Sequence, residues 1–202
     1  MKKYISLLIS IVPVNIIRIF LYNNIMGYSI SYSSKIGIGS IIAVRTARIN
    51  ESCLGSFNRF IGGFDLIIGK KSDIGSFNEF VCTSSSAGKA FCTIGKNVHI
   101  TKCHFFDASG GLTIKDHTRI AGRGSQFWTH GGQREKTEIV INEKCYVGSA
   151  VRMTQGVEIA QNSYVGLGSV VVDSFKSPDI LIFGHPAKNI KNDIIARKSL
   201  VP

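Results

Sequence analysis

Acidic residues are scarce in this chain. Its 202 residues hold 13 Asp and Glu against 24 Lys and Arg, a net charge of +11 at pH 7, and charged residues make up only 18%. With 44% apolar residues, that composition excludes an extended disordered chain. Proline is rare, at 4, while glycine reaches 21 and isoleucine recurs throughout. Glycine and β-branched residues form helices poorly, so a helical bundle is disfavoured and many short strands joined by turns are predicted. The five cysteines, at 53, 82, 92, 103 and 145, are odd in number and include no C-x-x-C pair. Neither a disulfide framework nor a zinc finger follows from that; free buried thiols in a reducing cytoplasm do. No run of Lys or Arg exceeds two residues and no nucleic-acid-reading motif is present. No nucleic-acid partner is therefore expected, and a phosphorylated cofactor or an anionic surface accounts for the basic balance.

No uninterrupted apolar run approaches the roughly 20 residues that span a bilayer. Residues 1–27 come nearest, but Pro13, Asn15 and Arg18 break them, and no small-x-small cleavage site follows. On a helical wheel Asn15, Arg18 and Tyr22 form a thin polar stripe on an otherwise apolar helix. Such a helix must lie on something apolar. It is read as packing against the body or a neighbouring subunit, or as resting on the inner face of a membrane with help from Lys2 and Lys3.

What the sequence does have is a period of six. Aliphatic residues recur at Ile141, Val147, Met153, Ile159, Val165 and Val171, and shorter runs keep the spacing at Ile68, Ile74, Phe80, at Ile94, Ile100, Phe106, and at Ile114, Ile120. Six is neither a helical period nor plain strand alternation. It fits a short strand with one inward residue, then a turn, so that three strands close a triangular coil of about 18 residues. The period slips between Phe80 and Ile94, between Phe106 and Ile114, and between Gln126 and Ile141. Extra residues in a solenoid must leave as loops, and loops carry function. The most polar is THGGQREKTE, residues 129–138.

The segments VGSAVRMTQGVEI (147–159), YVGLGSVV (164–171) and IFGHPAKNI (182–190) resemble the hexapeptide-repeat acyltransferases, over roughly residues 36–191. QFWTHGG (126–132) is similar to the sugar O-acetyltransferases of bacterial surface polysaccharides within that family. The resemblance implies an all-β, left-handed parallel β-helix in residues 36–187, preceded by an apolar helical segment (1–35) and followed by a short basic tail or helix (188–202) containing Lys188, Lys191, Arg197 and Lys198. It also implies acetyl-CoA as co-substrate, a sugar or polysaccharide acceptor, and a homotrimer with sites between neighbouring subunits.

Acyl transfer from a thioester to a hydroxyl needs a base, oxyanion donors and a cleft that aligns both substrates. Histidine suits the base role. Of His99, His104, His117, His130 and His185, His130 is the best placed, because it opens the polar insertion. By resemblance it matches the family's general base in a direct transfer. Counting rungs puts Asp107 one coil earlier. It either orients the His130 ring, binds a sugar hydroxyl, or simply caps the DASGG corner. Trp128 offers a sugar-stacking wall, and His104 a lining residue of the acceptor cleft. The resemblance assigns the oxyanion to the Ser149 backbone N–H, the CoA arm to Leu167 and Gly168, and the adenosine phosphates to Lys188 and Lys191. Asp173 departs from a lysine common in the family; Lys176 lies nearby. His99 and His104 have the H-x4-H spacing of γ-class carbonic anhydrases on the same fold, but no third histidine precedes them, so no metal is expected. The alternatives are an N-acetyltransferase of a nucleotide-linked amino sugar and, outside the transferases, a β-helix metalloenzyme or binding scaffold.

Overall fold

The computed structural model describes residues 1–83, 90–131 and 135–192. From Ser29 onward, short strands follow one another around three faces, and strands neighbouring on a face come from successive turns of the chain. The first face runs from Ser29–Ile30 to Glu158–Ile159, the second from Lys35–Ile36 to Ala187–Lys191, and the third from Ile41–Ala43 to Val170–Val171. Pairing along the faces is parallel until Ala187–Lys191 returns antiparallel on Leu181–Gly184. Among the described residues the body is thus a three-sided coil.

Each face carries a column of inward side chains that recurs every six residues. On the first face one column is all isoleucine, Ile30, Ile49, Ile68, Ile94, Ile114, Ile141 and Ile159 standing one above the next, with a second buried column from Ala47 to Ile139 beside it. The third face carries Phe60, Phe80, Phe106 and Phe127 in register. Neighbouring strands lie about 4.8 Å apart, and this sets the ring spacing. The phenylalanine centroids are 4.6, 4.3 and 4.7 Å apart, nearly parallel and fully buried. Truncating one ring would cost about 3–5 kcal/mol, because a coil held open by its neighbours cannot collapse onto the cavity.

The longer turns of the chain show where residues are added. Ile141 pairs Ile159, a spacing of eighteen, but Ile68 pairs Ile94 and Ile114 pairs Ile141. Both additions fall between a third-face strand and the next first-face strand. The middles of these insertions, 84–89 and 132–134, lie outside the described residues, as does 193–202 with Arg197 and Lys198.

The N-terminal segment forms two helices, α1 (Lys2–Ser10) and α2 (Asn15–Met26), on either side of Pro13. They close the first coil by packing on the body, through a face that buries polar residues beside Ile9, Ile19 and Met26. The polar stripe faces inward, and Ser6, Arg18 and Tyr22 are buried. The cause is the open end of the coil, whose first strands carry N–H and C=O groups with no further strand to pair. Asn23 bonds both N–H and C=O of Ile30, and Asn15 accepts from Ile36 N–H at 2.8 Å. Ser6 Oγ accepts from Ile42 N–H at 2.8 Å, while the Tyr28 hydroxyl accepts from Val44 N–H at 3.1 Å. Arg18 donates to the carbonyls of Val12 and Ile36.

Three further expectations change. The strands begin at Ser29 rather than 36, because Ser29 and Ile30 already pair Arg48 and Ile49. Residues 188–191 belong to the last strand, held by Leu181–Gly184, and not to a tail. Among the cysteines only Cys92 and Cys145 are buried, their thiols pushed up by desolvation, the latter to about 12. Cys53 and Cys103 face outward, Cys53 by the strand alternation and Cys103 at a left-handed turn position (φ 58°).

Candidate active site

The edge where the third face turns into the first gathers polar residues from three successive coils. Thr83 follows the strand Glu79–Val81, Asp107 ends Phe105–Asp107, and His130 follows Gln126–Phe127. His130 Nδ1 lies 2.5 Å from Asp107 Oδ2. The histidine side chain is 40% exposed and the aspartate side chain wholly buried.

Asp107 is held from every side. Its Oδ1 accepts from the backbone N–H and hydroxyl of Ser109 at 3.0 and 2.6 Å. Its Oδ2 accepts from the Thr129 N–H and hydroxyl at 2.9 and 2.7 Å. Burial alone would raise the carboxyl pKa, but the bonds from His130, Ser109 and Thr129 together overcome it, and the net shift is downward. An ionised carboxylate only accepts, so His130 Nδ1 carries a proton, and in that tautomer Nε2 is the ring's acceptor atom. Nε2 faces the Thr83 hydroxyl at 3.4 Å. The Ser109 N–H bond is the local turn that a corner aspartate in DASGG predicts, and the same geometry aims the other oxygen at His130. The corner cap and the ring partner are one residue.

Sequence reasoning missed Ser109, Thr129 and Thr83. Ser109 had a signal, since Asp-x-Ser is a turn pattern. Thr129 and Thr83 had none, because they meet Asp107 and His130 only through stacking of coils. Gly110 completes the corner: a Cβ there would lie 2.2 Å from the Thr129 carbonyl oxygen.

Trp128 stands outward beside the histidine, with ring centroids 6.3 Å apart, and packs on Phe105 at 4.5 Å. Phe105 also lines a shallow hollow of about 240 Å³ at the opposite edge of the third face, together with Phe77, Glu79, His104 and Gln126.

His104, read from the sequence as a residue lining the acceptor cleft, borders that hollow but is tied into the wall. It is 2% exposed. Its Nδ1 accepts from Ser125 N–H at 3.1 Å, and Nε2 meets the Thr101 hydroxyl at 3.0 Å. Desolvation lowers its pKa to about 4. It takes the place that Asn58 and Asn78 hold in earlier coils, where each side chain accepts the N–H of the coil above.

Ser149, Leu167 and Gly168 lie on that same second–third edge, not with His130. Ser149 packs its hydroxyl where a Cβ on Gly122 would sit. Its backbone N–H pairs with no acceptor among the described residues. Leu167 is 69% exposed, and the space around Gly168 is open. Phe183 covers Gly166 and pairs across the last hairpin with Lys188, so Leu167, Gly168 and Lys188 meet at one end of the edge. Lys191 pairs Leu181 further along. Within one chain the third face separates the two groups by about 13 Å, four residues at ~3.3 Å each from Ser125 to Thr129. No group of three metal-ligating side chains is gathered among the described residues.

No protein-family model matches the chain. The bifunctional protein GlmU of Thermodesulfovibrio yellowstonii is 29% identical over 126 residues, which are 62% of this chain and 25% of that protein. The chain thus spans about a quarter of the length of this curated relative. Among solved structures, a hexapeptide-repeat containing acetyltransferase of Vibrio cholerae aligns with a TM-score of 0.54 at 19% identity, over 95% of this chain and 88% of that one. AntD, an N-acyltransferase from Bacillus cereus solved with dTDP and coenzyme A, aligns at 0.57 and 17%, over 74% and 82%. A maltose O-acetyltransferase from Clostridium difficile 630 aligns at 0.51 and 21%, over 62% and 68%. The chain shares the fold of the hexapeptide-repeat acetyltransferases.

Proposed function

We propose that the chain is an acetyl-CoA-dependent O-acetyltransferase that acts in the cytoplasm on a sugar hydroxyl of a bacterial surface polysaccharide or its precursor. The observation that carries this reading is the His130–Asp107 pair: a fixed, ionised carboxylate on Nδ1 and a half-exposed ring with Nε2 outward, on this fold. His130 Nε2 takes the proton of the acceptor hydroxyl as its oxygen adds to the thioester carbonyl. Asp107, a positioning residue, fixes the tautomer and stabilises the imidazolium. The Ser149 N–H donates to the oxyanion, and the proton on Nε2 passes to the departing sulfur. Acetyl-CoA supplies the acyl carbon and the thiolate leaving group. The open edge at Leu167 and Gly168, ending in Lys188 and Lys191, suits an extended arm that ends in phosphates.

His130 and Ser149 sit on different edges, so a complete site requires the second–third edge of a neighbour. A homotrimer satisfies that, and Phe57 and Phe77, exposed and stacked at 5.3 Å on this edge, give apolar contact. Trp128 on Phe105 forms a platform for a sugar ring beside His130.

The test is thiol release from acetyl-CoA with a panel of surface polysaccharides, their repeat units and nucleotide sugars. Acetyl ester formation on a saccharide is expected. Amide formation on a nucleotide-linked amino sugar would replace this reading with the N-acetyltransferase one. No thiol release with any acceptor would remove the transferase reading.

A further inference from the structure

The two N-terminal helices bury a mixed face and expose an apolar one. Ser6, Ser10, Arg18 and Tyr22 are turned into the coil end beside Ile9, Ile19 and Met26, and most of the remaining large apolar side chains look outward. Tyr4, Leu8 and Ile11 share one side of α1, Ile16 and Phe20 one side of α2, with Ile25 near its end; their exposures run from 52% for Phe20 to 73% for Tyr4. So many adjoining apolar side chains on one surface mark a docking site.

The charge around this surface says what docks there. The first 50 residues hold six Lys and Arg and no Asp or Glu. Lys3, Lys35 and Arg48 are exposed and take part in no ion pair among the described residues. A second copy meeting this end would bring the unpaired Lys3, Lys35 and Arg48 of both copies together, which Coulomb repulsion opposes. An anionic bilayer meets both features, apolar in the middle and cationic at the rim. Neither helix crosses it. At 9 and 12 residues they measure about 14 and 18 Å, against about 30 Å of hydrocarbon. No described helix is long and apolar enough to span. Both are also tied flat across the coil end by Asn15, Ser6 and Asn23.

We propose that the helix-closed end of the coil is a docking face for the surface of an anionic membrane, with the outer sides of α1 and α2 in the headgroup layer and the axis of the coil pointing away from it.

The full chain is sedimented with vesicles of phosphatidylcholine alone and with phosphatidylglycerol mixed in. Binding that favours the anionic vesicles is expected. A variant carrying Leu8→Ser, Ile16→Ser and Phe20→Ser, all more than half exposed, should keep its unfolding midpoint and lose about a thousandfold in binding, since each side chain buried in the bilayer accounts for about tenfold. A second variant with Lys3→Glu, Lys35→Glu and Arg48→Glu should lose the preference for anionic lipid, about fivefold per cation removed. Should the serine variant misfold, the charge variant alone decides, and an unchanged preference overturns the proposal. It is also overturned if the parent chain ignores both vesicles, if the folded serine variant binds as the parent does, or if those serines split a larger assembly of a chain that binds no vesicle.

Discussion

At one end of the third face His104 is sealed into the wall; at the other His130 stands half-exposed against a buried carboxylate. The two rings differ in what their coil neighbours supply. His104 meets a backbone N–H and a threonine hydroxyl, both neutral, and loses its solvation, so its charged form is penalised. His130 meets an aspartate already held by Ser109 and Thr129. Burial among neutral partners ties His104 into the wall, whereas exposure beside a fixed anion leaves Nε2 of His130 open to the outside. The fold reaches both outcomes with residues spaced for the same coil.

The contrast can be broken most severely at His130. His130→Ala should lower turnover by about 10³–10⁴ while leaving the Kd for acetyl-CoA nearly unchanged, measured by single-turnover kinetics and calorimetry. Asp107→Asn keeps the shape but no longer requires a proton on Nδ1. A loss of about 10²–10³ is expected in kcat with little change in KM. The same substitution sharpens a stability difference. The Asp107 pKa is depressed in the folded state, so its contribution is present above the ordinary carboxylate range and lost as pH falls through the lower folded value. The asparagine variant should lack that dependence in acid unfolding curves. Lys188→Glu acts at the far edge; acetyl-CoA binding should weaken about tenfold, and more at low salt, because an exposed charge is screened.

The smallest effect on turnover belongs to His104→Asn, which restores the residue type of Asn58 and Asn78. Activity should stay within about twofold. Its signature is in stability. The parent histidine has a folded pKa of about 4 against 6.5, so the unfolded chain binds the extra proton first and stability is lost as pH falls from 6.5 towards 4. The asparagine chain should show a flatter unfolding profile across that window. A large loss of activity with His104→Asn would place it in the site after all.

The sequence by itself determined the coil, because one inward residue every six positions is a repeating demand for burial that only stacked turns satisfy. The isoleucine column from Ile68 to Ile159, with Phe80 and Phe106 of the phenylalanine stack, was legible in that period, whereas Phe127 stands one place after the expected phase at Gln126. His130 and Asp107 were legible too, since rung counting is itself a statement about space. Only the tertiary structure decided that Ser109 and Thr129 grip Asp107, that His104 is a wall residue, and that α1 and α2 turn their polar side inward. Those outcomes depend on partners a full coil away in sequence and on the unpaired backbone groups at the open end of the coil, and a local pattern of residues encodes neither.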